Sequence, residues 1–286
     1  VIMPTYNEAM NIEHSVEQLF KHNPAVSLLI VDDSSPDTTG AIADKLAAAN
    51  PKITVLHRDA KTGLADAYKA GFAWGLEKKF DYLIEMDADG SHRAEDLPKL
   101  LAKASTNELV IGSRWIVGGS VENWPAYRMA LSRGGNAYAK FMLGSKVKDM
   151  TAGFRVYQAQ LIERLHLEDL AAHGYSFQVE MTRKCEQIGA SITEVPITFV
   201  EREHGVEVLF AHVDRRIADA AKQRIVVAAA ERDRTAVVAL SRLANVLVCV
   251  LDAAATVSTA ETTPGWSVRR MTLPVAAIFS PVVMPV

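Results

Sequence analysis

Four short apolar runs, three of them ending in a cluster of polar residues and three followed by a helical pattern, constrain this chain more than any other feature. Val1, Ile2 and Met3 stop at Pro4-Thr5-Tyr6-Asn7-Glu8, and a helical stretch over 11–20 follows. The run at 27–31 stops at Asp32-Asp33-Ser34-Ser35-Pro36-Asp37, before a helix over 39–49. A third strand at 53–56 precedes a helix over 63–76, and a fourth at 82–86 ends at Asp87-Ala88-Asp89-Gly90. Strands alternating with helices of this length imply βαβ units, a mostly parallel sheet and right-handed crossovers. In such sheets ligands gather at the carboxyl ends of the strands, which is where every one of these polar clusters falls.

The pattern continues with a strand at 109–112, a segment rich in Gly, Arg and Trp, and helical stretches at 127–141, 159–165 and 177–188. Residues 192–199 read as an edge strand, because Pro196 cannot donate to a ladder. The globular domain is expected to close near Glu203. Beyond it, 212–234 are rich in Ala, Arg and Asp, and 236–257 are apolar but interrupted by Arg242 and Asp252. Neither stretch, nor the 14 residues 273–286, makes a membrane span.

With 286 residues, 49% of them hydrophobic, the chain can bury a full core. A net charge of -3 supplies no basic field for nucleic acid, so an anionic ligand must be held by a local site. Cys185 and Cys249 lie far apart without metal-ligand spacing, which argues against a disulfide framework or a zinc site and for a reducing environment. The opening strand begins at Val1 without a preceding Met, so a trimmed N-terminus is expected.

Asp87 and Asp89, directly after an apolar strand, offer two carboxylates that a hard cation such as Mg2+ or Mn2+ can bridge to a diphosphate. Asp32 and Asp33 end the second strand, where a carboxylate can either accept hydrogen bonds from a ribose or base, or cap the next helix. Arg114, Arg128 and Arg133, with Ser132, supply phosphate-binding groups in a chain that is not basic overall. Gly63 reads as tight-turn geometry. His92 and His173 are left out of the metal set, since a lone histidine is more often a satisfied polar residue. No G-x-S-x-G, P-loop or Cys/His pairing points to a hydrolase or an NTPase.

Taken in order, these segments resemble the family 2 glycosyltransferases, and within them the polyprenyl- (dolichyl-) phosphate mannosyltransferases. The resemblance runs through Pro4 to Glu8, Val31 to Thr39, Gly63-Leu64-Ala65, Met86 to His92, Gly112-Ser113-Arg114, Asp149 to Arg155 and Gly174 to Glu180, and covers about residues 1–205. It implies a GT-A fold over 1–205 and an inverting transfer of mannose from GDP-mannose to a polyprenyl phosphate. Pro4, Tyr6, Glu8, Asp33, Ala88 and Arg202 would contact the nucleotide-sugar together with Asp87 and Asp89. Asp87, Asp89 and Ser91 would serve the metal, Ser91 through a water because it is shorter than a Gln. Arg114, Arg128 and Ser132 would grip the acceptor phosphate, and Asp89, Arg114 and Arg128 would carry the catalysis. The nucleophile is itself an ionised phosphate oxygen, so no dedicated base is needed.

The resemblance also implies a peripheral enzyme at the cytoplasmic face of the membrane, with a membrane surface and a possible membrane-anchoring protein as partners. After Gly205 the family pattern would continue with a Ser-Lys pair, whereas Val206-Glu207-Val208-Leu209-Phe210 follows here. Residues 206–286 are therefore expected to be an atypical tail, frame-shifted or poorly ordered. Two alternatives accompany the main reading: transfer of another hexose, such as glucose, to a lipid phosphate, and a catalytically impaired nucleotide-sugar-binding protein.

Overall fold

A computed structural model describes residues 1–169 and 176–201. The expectations for Arg202, His173, Cys249 and the tail after Gly205 lie outside the described residues. Strands β1 (Ile2–Thr5), β2 (Leu28–Asp32), β3 (Ile53–His57) and β4 (Tyr82–Glu85) alternate with helices α1 (Ile12–His22), α2 (Thr39–Ala49) and α3 (Leu64–Glu77). Helix α4 (Leu97–Ala104) leads to β5 (Leu109–Ser113), a short β6 (Ser120–Glu122) and the long α5 (Ala126–Leu143). The chain then forms β7 (Arg155–Gln158), α6 (Ala159–Arg164), α7 (Ser176–Gln187), β8 (Ile192–Pro196) and β9 (Thr198–Val200).

Seven strands form one sheet in the order β3-β2-β1-β4-β7-β5-β8. All are parallel except β7, which runs antiparallel to both β4 and β5. The expected mostly parallel sheet is present, and so are the three predicted βα repeats and the fourth strand. Three elements escaped the sequence reading: α4, β6 and β7. The predicted single strand at 192–199 is two strands, β8 at the sheet edge and β9 paired in parallel with β6 in a separate ribbon. Pro196 ends β8, where the missing donor and fixed φ turn the chain from one sheet to the other.

Period-2 alternation fills both faces of the sheet, as expected for buried parallel strands. Leu29 and Val31 pack with Tyr68, Phe72, Leu161 and Phe177 on one face. Leu28 and Ile30 pack with Ile12, Val16, Leu19, Leu97 and Leu100 on the other. Helix α3 lies close to the sheet because it carries glycines where it crosses β1 and β4. A Cβ at Gly71 would fall 2.4 Å from Ile2 Cγ2, and one at Gly75 would fall 2.3 Å from Leu83 Cδ2. That close approach brings the Tyr68 hydroxyl to the end of β4. Cys185 is buried and free, and burial pushes its thiol up to about 12.

Candidate active site

The carboxyl ends of β1, β2 and β4 lie side by side and carry the first three polar clusters. Behind β1, Asn7 N–H donates to Ser35 Oγ at 3.1 Å and Glu8 N–H to Thr39 Oγ1 at 2.9 Å, which fastens this loop to the one after β2. Thr5 and Ser35 hydroxyls both donate to the buried Asp32, at 3.1 and 2.5 Å. Asp37 accepts from Thr39 N–H at 2.9 Å at the start of α2. Burial would raise its pKa, but the hydrogen bonds from Thr39 and Ala9 hold it below the usual carboxylate range.

Asp33, expected at the nucleotide, is buried and already engaged. Arg58 Nη1 contacts its Oδ1 at 2.6 Å, and Gly63 N–H donates to its Oδ2 at 3.2 Å. Gly63 has a φ of 110°, open to glycine and strained for other residues, which lets its amide face Asp33. Tyr6 lies beneath the Lys61 ammonium, 3.5 Å from the ring centroid. The loop between β3 and α3 therefore covers both Tyr6 and Asp33. Arg58 and Lys61 are site residues that the sequence reading missed, since isolated basic residues after a strand carry no spacing signal.

After β4, Asp87 and Asp89 share one turn closed by Gly90, whose φ is 78°. Tyr68 donates its hydroxyl to Asp87 Oδ1 at 3.2 Å, and Asp87 N–H donates to His92 Nδ1 at 3.0 Å. That bond commits Nδ1 of His92 as an acceptor. Ser91 directs both its amide and its hydroxyl onto Asp89 Oδ1, at 3.0 and 2.6 Å. Ser91 is buried, so it braces Asp89. Ala88 is buried too, and its carbonyl accepts from Ser15 Oγ at 2.7 Å. Among the described residues no three His, Cys, Asp or Glu side chains gather as a metal cage. Two aspartates on one turn still fit a hard divalent cation that takes its other oxygens from a diphosphate and water.

Beneath this turn lies a buried polar floor that the sequence reading did not single out. Glu85 accepts from Gln178 Nε2 at 2.9 Å and from the Tyr157 hydroxyl at 3.5 Å. Arg155, wholly buried beside them, donates to the carbonyls of Ala152 and Met150 at 2.7 and 2.8 Å. Burial pushes the Glu85 carboxyl up to about 8, against the opposing pull of Arg155 and the Gln178 hydrogen bond. Burial, with the charges of Asp87 and Glu85, likewise raises the Tyr68 phenol well above its ordinary value, so it remains a donor. An acid within the apolar run Tyr82-Leu83-Ile84-Glu85-Met86 was the available signal for this floor.

The arginines lie on the other side of β9. Arg114 is buried and forked onto Asp149, with Nε to Oδ2 at 2.8 Å and Nη2 to Oδ1 at 2.7 Å, and it also reaches Thr151 at 2.9 Å. Its guanidinium lies 5.4 Å from the Trp115 ring, 5.6 Å from Trp124 and 5.3 Å from Phe199. Arg128, in the first turn of α5, is paired with Glu201 and lies 4.0 Å over Trp124. Ser132 follows one turn later and accepts from Asn136 through its carbonyl at 3.0 Å. Pro4 and Glu8 stand half-buried at the opposite, β1 end.

One strand joins the two halves. Val200 N–H donates to the Ser91 carbonyl at 3.2 Å, Phe199 packs edge-on against both His92 and Trp124, and Glu201 reaches Arg128. The aspartate turn and the arginine-tryptophan cluster are thus neighbours across Phe199.

A family model described as "Glycosyl transferase family 2" matches residues 1–165. The chain belongs to glycosyl transferase family 2. Among its relatives, an undecaprenyl-phosphate mannosyltransferase of Micrococcus luteus is 49% identical over 204 residues, covering 71% of this chain and 84% of that protein. A polyprenol monophosphomannose synthase of Mycolicibacterium smegmatis is 48% identical over 208 residues, covering 72% and 78%. The crystal structure of glucosyl-3-phosphoglycerate synthase from Mycobacterium tuberculosis with Mn2+, UDP-glucose and glycerol 3-phosphate aligns with a TM-score of 0.51 and 19% identity, over 79% of this chain and 77% of that one. The fold of this family 2 glycosyltransferase is accordingly GT-A, as the resemblance implied.

Proposed function

We propose that this glycosyltransferase moves mannose from GDP-mannose to a polyprenyl phosphate, giving polyprenyl-phosphate mannose and GDP. Two relatives about half identical to it bear names of that activity. The observation that carries the reading on this chain is the adjacency across Phe199 of an aspartate pair suited to a metal-bound diphosphate and an arginine cluster suited to a lipid phosphate.

In this reading an acceptor phosphate oxygen bonds to the anomeric carbon of mannose from the face opposite the departing GDP. The bond from that carbon to the diphosphate breaks and its electron pair leaves with GDP, so the configuration inverts. The acceptor arrives ionised, and no side chain needs to take a proton from it. Asp87 and Asp89 would hold Mg2+ or Mn2+, which when bound neutralises charge on the leaving diphosphate. Ser91 fixes the rotamer of Asp89, and Tyr68 that of Asp87. Pro4, Tyr6, Glu8 and Asp33 line the nucleotide end, with Ala88 closing the floor of the turn. Arg128, with Ser132 one turn along α5, receives the acceptor phosphate. Arg114, forked onto Asp149, keeps the 149–151 segment against the end of β5.

Among the described residues no helix is long and apolar enough to cross a membrane. Peripheral attachment at the cytoplasmic face, directly or through an anchoring protein, gives access both to a water-soluble donor and to a lipid headgroup.

The test is transfer of labelled mannose from GDP-mannose to a polyprenyl phosphate in detergent, with Mg2+ or Mn2+, by the chain and by Asp89→Ala. Metal-dependent product that falls by about a hundred- to a thousandfold in the variant supports the proposal, a loss of the size expected when charge stabilisation is removed at a reacting centre. Transfer to the lipid from UDP-glucose in preference would sink the mannosyl assignment. GDP-mannose binding without turnover would favour the impaired-protein alternative.

A further inference from the structure

The cation expected to seat the acceptor phosphate already holds an anion. Arg128 Nη1 contacts both carboxylate oxygens of Glu201. The Arg128 side chain is 10% exposed and that of Glu201 26%, so the guanidinium is withdrawn from water while the carboxylate remains reachable. Glu201 arrives there because β6 and β9 pair in parallel and its amide donates to the Glu122 carbonyl at 3.2 Å, just past the end of the ladder. Trp124 packs against the guanidinium from β6's side, which restricts the directions from which an anion can approach it.

A guanidinium this buried needs a compensating negative charge whether or not an acceptor is present. A carboxylate and a phosphate monoester both present anionic oxygens to a guanidinium nitrogen. Both cannot hold Nη1 together, because their charges repel and that nitrogen already serves the two Glu201 oxygens. Resting on the reading of Arg128 as an acceptor-phosphate ligand, we infer that Glu201 is a specificity-determining residue that occupies the acceptor-phosphate seat and yields it only to a more highly charged anion.

A phosphate monoester carries about 1.5 to 2 negative charges at neutral pH, more than the single charge of a carboxylate. It displaces Glu201, whose half-open side chain swings out by a rotamer change. A phosphodiester with one charge, or an uncharged alcohol, has no such advantage and is excluded. Glu201 thus restricts the chain to monophosphate acceptors at some cost in acceptor affinity.

Glu201→Gln removes the competing charge and keeps the shape. Initial rates are measured against polyprenyl monophosphate at saturating GDP-mannose and metal, with and without the methyl diester of the same lipid phosphate as an inhibitor, and against GDP-mannose at saturating acceptor. The expected result is an acceptor KM about three- to tenfold lower, roughly 1 kcal/mol of relieved competition, an unchanged donor KM, and inhibition by the diester in the variant alone. Glu201→Asp, which keeps the charge, should return the acceptor KM towards the parent value. An acceptor KM that is unchanged or raised in Glu201→Gln overturns the inference, as does an Asp variant that behaves like the Gln one or a diester that inhibits neither protein. Arg128→Gln separates the two levels. If it leaves the acceptor KM unchanged, the reading of Arg128 fails; if it raises that KM while Glu201→Gln does not lower it, only the exchange fails.

Discussion

The two halves of the site hold their charges in opposite ways. In the donor half Asp32 and Asp89 sit on turns directly after strands and are satisfied by near neighbours, Ser35 and Ser91, whereas Asp33 is paired with Arg58. In the acceptor half the cations are satisfied at long range, Arg114 by Asp149 and Arg128 by Glu201, and are flanked by tryptophan faces. Local hydroxyl and amide donors orient a carboxylate without neutralising it, so the turn of Asp87 and Asp89 keeps negative charge suited to a metal. A carboxylate partner cancels an arginine, so the acceptor half stays nearly neutral until an anion enters. A divalent cation and a lipid phosphate are thereby met by sites prepared differently.

Four substitutions probe this contrast. The largest effect is expected from Asp149→Asn, which leaves the guanidinium of Arg114 buried without its counter-charge. The chain should lose about 3 to 5 kcal/mol of stability, read as a lowered denaturant midpoint, whereas Ser91→Ala in the donor half should lose about 1 kcal/mol. Similar losses from both would break the contrast.

Glu85→Gln comes next and tests the floor under the donor half. In the folded chain Glu85 keeps its proton to about pH 8, while its unfolded value is 4.5. Between those values the folded state binds more protons, so this group lowers stability as pH rises, by up to about 1.4 kcal/mol per pH unit. The penalty is absent below the unfolded value and complete above the folded one. Glu85→Gln should therefore be more stable than the parent at pH 8, with the difference vanishing near pH 5. Thermal unfolding at both values measures it, and a gap that is flat with pH would show that Glu85 is ionised in the folded chain.

The smallest effect is expected from Tyr68→Phe. It deletes one hydroxyl on Asp87 and keeps the ring stacked between Phe72 and Phe177. The loss of about 1 to 2 kcal/mol should appear as a roughly tenfold higher metal concentration for half-maximal rate, with the acceptor KM unmoved. A shift in the acceptor KM instead would mean that the two halves are not separately prepared.

Much of the donor half was legible along the chain because its residues are neighbours in sequence. An apolar run followed by Asp87-Ala88-Asp89 announces a strand and its loop, and the same holds for Asp32 and Asp33. The antiparallel β7 was not legible: it opens on Arg155, a residue that argues against a buried strand until the carbonyls of Met150 and Ala152 are seen to receive it. Nor could spacing reveal that Glu201, 73 residues from Arg128, would close on it, or that Arg58 would cover Asp33.

The amino-acid sequence by itself determined the alternation of strands and helices, the mostly parallel sheet and the aspartate turn, because period-2 burial and turn chemistry act over a few residues. Only the tertiary structure decided which charges are already answered. Counter-ions are chosen by proximity in space, and here β9 crosses from the aspartate turn to α5, setting Phe199 between the two halves and Glu201 on Arg128.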